Sequence, residues 1–314
     1  VSAAPVRFAT SGSTGPPVRW SRDEDQLAAE TRLLATLLGG DAVDAVHTHA
    51  PVEHLYGHLL GVRLPALLGV GVRHVPITRP FAASGSPLLV TLPASFSVLA
   101  RSLPALDGCD RVTLVFSSAR IPPLAHTVVT ALGDRARLVE LFGSTETGLV
   151  ATRVFPGGAD WELAPDVRFA PGLLAAGSGR LALRSPRIAA RDGSPPPAEI
   201  TLDDDITVVG ARSFRWHGRA AGLVKINGRR LSLDAVRATL AAAVPGAVLR
   251  CVPEPDPVRG EWFTVTVDRA DPRTLRSLAA AVAELPAWQR PRSINPVPAA
   301  RADRVRTDEE PRTR

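Results

Sequence analysis

Three short segments carry the residue types that a phosphate-handling site requires. In TSGSTG (10–15), Thr10, Ser11, Ser13 and Thr14 alternate with Gly12 and Gly15. The glycines let the backbone turn tightly and approach an anion, while hydroxyls and exposed N–H groups donate to phosphate oxygens. Its setting, RFATSGSTGPPVRW (7–20), has the composition of a loop between a strand and a helix. Alone, such a run is as readily a linker. FGSTETG (142–148) puts the hydroxyl of Thr145 beside the carboxylate of Glu146 at a strand-to-loop junction, a pair suited to Mg²⁺ and phosphate. A capped turn is the equal alternative. HGRAAGLVKINGRRLSL (217–233) sets Arg219 before a small-residue hinge and a turn bearing Lys225. Read alone, it is an ordinary basic linker.

The elements that must hold these segments follow from apolar spacing. Residues 23–38 show helical periodicity through Leu27, Leu33, Leu34, Leu37 and Leu38. Farther on, LLVTL (88–92), VTLVFS (112–117) and RLVELFG (137–143) read as strands, with a helix over 122–132 between the last two. Strand, helix, strand at this spacing predicts an α/β layer with parallel pairing. GRLALR (179–184) alternates like a half-buried strand, and 206–216 reads as a strand pair around a turn. SPPP (194–197) marks a solvent loop, and the small polar stretch 218–222 marks a boundary. Beyond it, a helix capped by Ser232 over 232–243, strands at 248–252 and 262–267, and a helix over 272–285 compose a small α+β module. The tail from Arg304 has almost nothing to bury and is expected to be disordered.

With 314 residues, 45% apolar and 22% charged, the chain has the composition of a globular protein able to bury an ordinary core. Cys109 and Cys251 lie in no metal-binding spacing and are expected to be inert buried thiols, which suits a reducing cytoplasm. The longest apolar stretch, 59–72, is broken by Arg63 and Pro65 and is too short for a bilayer helix. No signal-peptide pattern opens the chain. A pI near 10.6 raises the question of nucleic acid, but the basic residues are scattered and form no stripe interleaved with aromatics. Of 37 basic residues only Lys225 is lysine and 36 are arginine, a skew that fits a GC-rich genome.

In this order, TSGSTG, FGSTETG and GRAAGLVKING resemble the phosphate loop, the aromatic-Gly-x-Thr-Glu segment and the hinge segment of the adenylate-forming superfamily. That superfamily includes acyl-CoA synthetases and adenylation domains, and the wording of the hinge is similar to that of short ligases of secondary metabolism. HAPVEHLYG (49–57) and LVFSSARIPP (114–123) are similar to the family's acyl-pocket and adenine-lining stretches. The resemblance implies an ATP- and Mg²⁺-dependent ligase. It would join a carboxylic acid to AMP and pass the acyl group to CoA or a carrier-protein thiol. It further implies that residues 10–15 wrap the β- and γ-phosphates, that Phe142 lies at adenine, and that Thr145 and Glu146 serve phosphate and metal. Asp203, with Asp204 as the competing choice, would hold the ribose, and Arg219 would approach ribose or phosphate. His54 would flank the acyl pocket, and Ala221 and Lys225 would belong to the hinge.

Four departures accompany the resemblance. Val18, followed by Arg19, stands at the phosphate loop's lysine, and Ala221 replaces the hinge aspartate. Asp303 and Arg304 replace a Gly-Lys pair, which puts Arg304 at the catalytic lysine; arginine keeps the charge but not the compact ammonium. The phosphate loop begins at Thr10, far earlier than in the family, so an upstream start, a truncated gene or a partner chain is expected to account for the first subdomain. The expected architecture is thus α/β, with a large layered domain over 1–218 partly lacking its first subdomain. A small mobile α+β domain over 219–302 and a tail over 303–314 follow it. A degenerate homologue that binds nucleotide as a partner subunit is the alternative, and exposed apolar surface would favour a homodimer or a partner chain. Without the family context, His54 reads as structural, and Trp216 and Trp288 as packing anchors.

Overall fold

The computed structural model describes residues 4–10, 18–117, 120–191, 193–219, 222–226, 229–256, 259–268 and 271–297. Expectations for Ser11, Gly12, Ser13, Thr14, Gly15, Ala221, Arg304 and the tail lie outside these residues.

Strand β1 (Val6–Thr10) pairs antiparallel with β2 (Val18–Arg22), Phe8 lying opposite Trp20 and Thr10 opposite Val18. Residues 11–17 therefore join two strands of a hairpin, not a strand to a helix as the composition suggested. The aromatic and β-branched residues of VRFAT and VRWSR favour pairing, with Phe8 buried. Helix α1 (Glu24–Leu37) starts only after Asp23, whose carboxylate accepts the Gln26 amide at 2.7 Å in a reciprocal capping box. Its buried face holds Leu27, Glu30, Thr31 and Leu34.

The chain then lays down β3 (Ala45–Thr48), α2 (Leu55–His58), a π-helical turn (Leu59–Arg63), α3 (Leu64–Leu68) and β4 (Gly71–His74). It continues through β5 (Pro87–Thr91), α4 (Pro93–Arg101), β6 (Val112–Phe116), α5 (Pro123–Leu132) and β7 (Ala136–Ser144). These five strands pair in parallel in the order β4-β3-β5-β6-β7, as the strand–helix alternation predicts. Side-chain alternation splits their burial between the two faces. Leu88, Val90 and Val139 join a core with α1, whereas Leu89, Leu114 and Leu138 join one with α4 and α5. Helices on both faces explain why VTLVF is apolar nearly throughout.

At β7 the sheet changes sense. Strand β8 (Gly148–Phe155) folds back antiparallel, followed by β9 (Trp161–Leu163), β10 (Arg168–Phe169), α6 (Pro171–Ala176) and β11 (Ser178–Arg184). Next come β12 (Ala190–Arg191), β13 (Ile200–Gly210) and β14 (Ser213–Arg219); β12 adds to β2, and the others extend the sheet to eleven strands. The hairpin expected over 206–216 is thus longer, and β14 runs into the stretch anticipated as a boundary.

A separate sheet with its own core follows. It contains β15 (Leu223–Ile226), β16 (Arg229–Ser232), β17 (Leu249–Asp256), β18 (Gly260–Val267) and β19 (Ile294–Pro296). Helices α7 (Leu233–Ala243) and α8 (Pro272–Glu284) cover it. Ser232 caps α7, and Leu233, Val236 and Leu240 are buried, as their spacing predicts. Among the described residues no helix is long and apolar enough to cross a membrane.

Candidate active site

The carboxyl ends of the parallel strands converge on one cavity of about 390 Å³. Ala50 follows β3, Leu92 follows β5, Ser117 follows β6, and Leu141 to Ser144 end β7; all contribute to its wall. A crevice outside the carboxyl ends of parallel strands is where open α/β sheets bind ligands. The deeper lining is apolar, with Leu34 of α1 and Leu55, Leu59 and Leu60 of the α2 segment. His54, exposed at the N-cap of α2, stands at this cavity. Tyr56, also on the wall, has its hydroxyl 2.8 Å from the Val115 carbonyl and 3.1 Å from that of Thr91. Burial raises its pKa, so the phenol stays protonated.

The 145–147 turn joining β7 to β8 supplies the polar rim. Ser144 and Thr147 close it, with their hydroxyls 2.9 Å apart and the Ser144 amide donating to Thr147 Oγ1 at 3.2 Å. Thr145 and the buried Glu146 both line the cavity. Gly148 leaves the turn at φ +68°, and a Cβ there would lie 2.5 Å from a Glu30 carboxylate oxygen. Both the left-handed backbone and the close approach demand glycine. From the small sheet, Lys225 and Arg229 reach the same cavity, and the Arg229 guanidinium sits 5.5 Å above the Trp288 ring.

A second, smaller cavity of about 60 Å³ adjoins the first and shares the wall from Leu141 to Ser144. Asp204, Trp216, Arg219, Arg120 and Lys225 line it. Asp204 is buried, accepts the Trp216 indole N–H at 2.9 Å, and lies 3.5 Å from Arg219 Nε. Arg219 also contacts Glu261 at 3.4 Å, and Glu261 accepts the Lys225 amide at 2.7 Å. Glu140, buried at the base of this cavity, is held by both ends of the Arg153 guanidinium at 3.0 Å. Desolvation raises its pKa against the pull of Arg153. Phe142 stands edge-on to Trp161 and Phe214, at 5.2 and 5.6 Å, which fixes its ring on the shared wall.

Of the residues singled out in the sequence, Phe142, Thr145, Glu146, Arg219, Lys225 and His54 are brought to these two cavities. Asp203 is not. Strand alternation turns it away, half-exposed, into an ion pair with Arg180 at 3.2 Å, and it is Asp204 that faces the smaller cavity. Thr10 ends β1 opposite Val18, next to Ala9, which reaches the first cavity. Trp216 is more than a packing anchor, because it hydrogen-bonds Asp204 at the cavity. Arg229 and Arg120 were missed, although Arg229 follows directly on the Lys225 turn. Burial pushes both thiols up, that of Cys251 to about 11, in keeping with inert cysteines. No group of three or more His, Cys, Asp or Glu suited to a metal is found among the described residues.

No family model matches the chain. It is 30% identical over 302 residues to a 4-coumarate–CoA ligase of Halorhodospira halophila, covering 92% of this chain and 71% of that one. It is 29% identical over 249 residues to a 4-coumarate–CoA ligase of Rhodobacter capsulatus, covering 75% of this chain and 57% of the relative. Among solved structures, a malonyl-CoA ligase superposes with a TM-score of 0.66 at 24% identity, over 93% of this chain and 70% of that one. The o-succinylbenzoate CoA synthetase of Bacillus subtilis superposes with a TM-score of 0.70 at 14% identity, over 94% and 66%. The fold, the ordered motifs and the identity to the Halorhodospira ligase together show that this chain belongs to the adenylate-forming superfamily.

Proposed function

We propose that the two adjoining cavities hold a carboxylic acid and ATP, and that the protein joins them as an acyl-adenylate before passing the acyl group to the thiol of CoA or a carrier protein. The observation that carries this reading is the shared wall from Leu141 to Ser144. It places an apolar chamber next to one lined by Asp204, Arg219 and Lys225, with Thr145 and Glu146 at the rim of the apolar chamber. The acid's carbon skeleton fits among the leucines, and Asp204 suits the ribose hydroxyls as acceptor.

Attack of the acid's carboxylate on the α-phosphorus expels pyrophosphate, so negative charge builds where the groups meet. Lys225, Arg219, Arg229 and Arg120 are among the cations on that perimeter and would offset it without reorganising. Mg²⁺ is ordinarily held by one or two carboxylates together with substrate phosphates, and Glu146 provides such a carboxylate. Bound there, the ion would supply Lewis-acid charge neutralisation to the phosphates. The same reading makes residues 10–15 the phosphate loop, Phe142 the neighbour of adenine and Arg304 the counterpart of the family's catalytic lysine. It also makes the 219–302 portion a mobile domain.

ATP–pyrophosphate exchange across a panel of aryl and alkyl acids tests the proposal. Exchange that depends on one class of acid supports it. ATP binding with no exchange for any acid would mark a nucleotide-binding subunit without turnover.

A further inference from the structure

At the cavity wall, which Glu30 itself lines, lies a buried charge cluster to which the proposed chemistry assigns no role. Arg22, Glu30 and Arg187 are 0%, 2% and 1% exposed, although each belongs to a residue type ordinarily found at the surface. Arg22 ends β2, Glu30 sits on the inner face of α1, and Arg187 precedes β12. Arg187 grips Asp166 through two nitrogens at 2.7 and 2.8 Å, and its Nη1 lies 3.5 Å from Glu30. Two guanidinium groups thus face two carboxylates, and the buried Glu146 carboxylate also attracts Arg22.

The hydrogen bonds of this cluster are directed at one turn. Arg22 Nε and Nη2 both donate to the Thr145 carbonyl, at 3.3 and 3.0 Å. Its Nη1 donates to the Arg187 carbonyl at 2.6 Å and to Glu30 at 3.4 Å. The other oxygen of Glu30 accepts the Leu149 amide at 2.6 Å. One ion pair therefore holds the entry and the exit of the turn. Its middle is held from the Arg187 side, where the Ala189 amide donates to the Glu146 carbonyl at 2.8 Å. A buried ion pair adds little net stability over apolar side chains of the same volume. Directional constraint is what these side chains contribute that leucines would not.

We propose that Arg22 and Glu30 are positioning residues that lock the 145–149 turn to the β1–β2 hairpin and α1, so that Thr145 and Glu146 face the cavity in one fixed geometry. For its catalytic consequence, this inference rests on the acyl-adenylate reading above. For its structural consequence it does not. Misplacing a reacting group by about 1 Å costs on the order of 100-fold in rate.

The full chain carrying Arg22→Lys, which keeps the charge but loses the fork, and separately Glu30→Gln, which keeps the volume and an acceptor, tests it. Amide hydrogen exchange without ligand reads the turn itself. Protection of a peptide spanning 144–149 is expected to fall about tenfold or more in both variants, with α7 unchanged. Pyrophosphate exchange reads the consequence: kcat is expected to fall about 10–100-fold with the KM for the acid within about twofold. Adding Thr145→Ala to Arg22→Lys is expected to cost much less than Thr145→Ala alone, since both disable the same unit. Should either single variant fail to fold by circular dichroism, the double variant Arg22→Met/Glu30→Gln, which removes both charges together, takes its place. Unchanged protection at 144–149, or kcat within twofold of wild type, overturns the proposal. A wild-type protein without pyrophosphate exchange defeats the acyl-adenylate reading, and the amide-exchange arm then still decides whether the pair positions the turn.

Discussion

The Arg219 guanidinium lies 3.4 Å from the Glu261 carboxylate, and this contact ties the last strand of the large sheet to β18 of the small one. The pair is only 12% and 16% exposed, so it is shielded from the screening that weakens surface ion pairs. Glu261 also accepts the Lys225 amide, so one side chain anchors both ends of the connecting segment.

Glu261→Gln retains an acceptor for Lys225 and removes the charge facing Arg219. The expected cost is about 1 kcal/mol, read as a thermal midpoint lower by about 2 °C. An unchanged midpoint would show that Asp204 alone satisfies Arg219.

Asp204 and Asp203 separate the site from the surface. Asp204→Asn is expected to weaken ATP binding about tenfold, because a charged acceptor becomes a neutral one. Asp203→Asn should leave binding within about twofold, as it breaks only an exposed ion pair. Calorimetric titration of both variants decides, and equal losses would refute the assignment.

Gly148 seats the β7–β8 turn on Glu30. Gly148→Ala forces a side chain into a left-handed backbone and to within 2.5 Å of the carboxylate. A loss of about 2–3 kcal/mol in urea denaturation is expected, at the upper end of what backbone strain alone produces. A loss under 1 kcal/mol would show that Glu30 moves aside freely.

Acid should unfold the protein ahead of its carboxylates. His49, stacked on Phe81 and bonded to Ser95 at 2.8 Å, is held neutral with its pKa lowered to about 4, chiefly by burial. Unfolded, it titrates near 6.5, so between these values the unfolded chain binds the extra proton. This stability is present above pH 6.5 and falls, by at most about 3 kcal/mol, as the pH drops through 4. Burial lowers His47, His58 and His126 in the same sense. Urea midpoints measured from pH 7.5 to 4.5 should decline in the wild type and decline less in His49→Gln. Parallel slopes for the two proteins would sink the assignment.

Sequence reasoning reached the parts of the site that are written as contiguous motifs. FGSTETG is legible because its small and polar residues interrupt an apolar strand, and α7 because Ser232 and the spacing of Leu233, Val236 and Leu240 agree. It misread what depends on pairing. The sequence between β1 and β2 looked like a strand-to-helix junction because nothing local reports that VRFAT and VRWSR lie side by side. Within the triple aspartate 203–205, only strand register decides which carboxylate faces inward. Arg22 and Glu30 were invisible for a related reason: charged residues beside or within a helical segment read as solvated until their partners, 123 and 119 residues away, are brought beside them.

The four residues from Leu141 to Ser144 bound both cavities at once. Directed evolution of this protein toward a bulkier acid would meet that partition first, and shaving Leu141 or Phe142 to make room would also reshape the chamber on the other side. Changes in the two preferences should therefore be inherited together when they arise on this strand. They should be separable when they arise on the α2 side, at Leu59 or Leu60, which border the apolar chamber and do not border its neighbour.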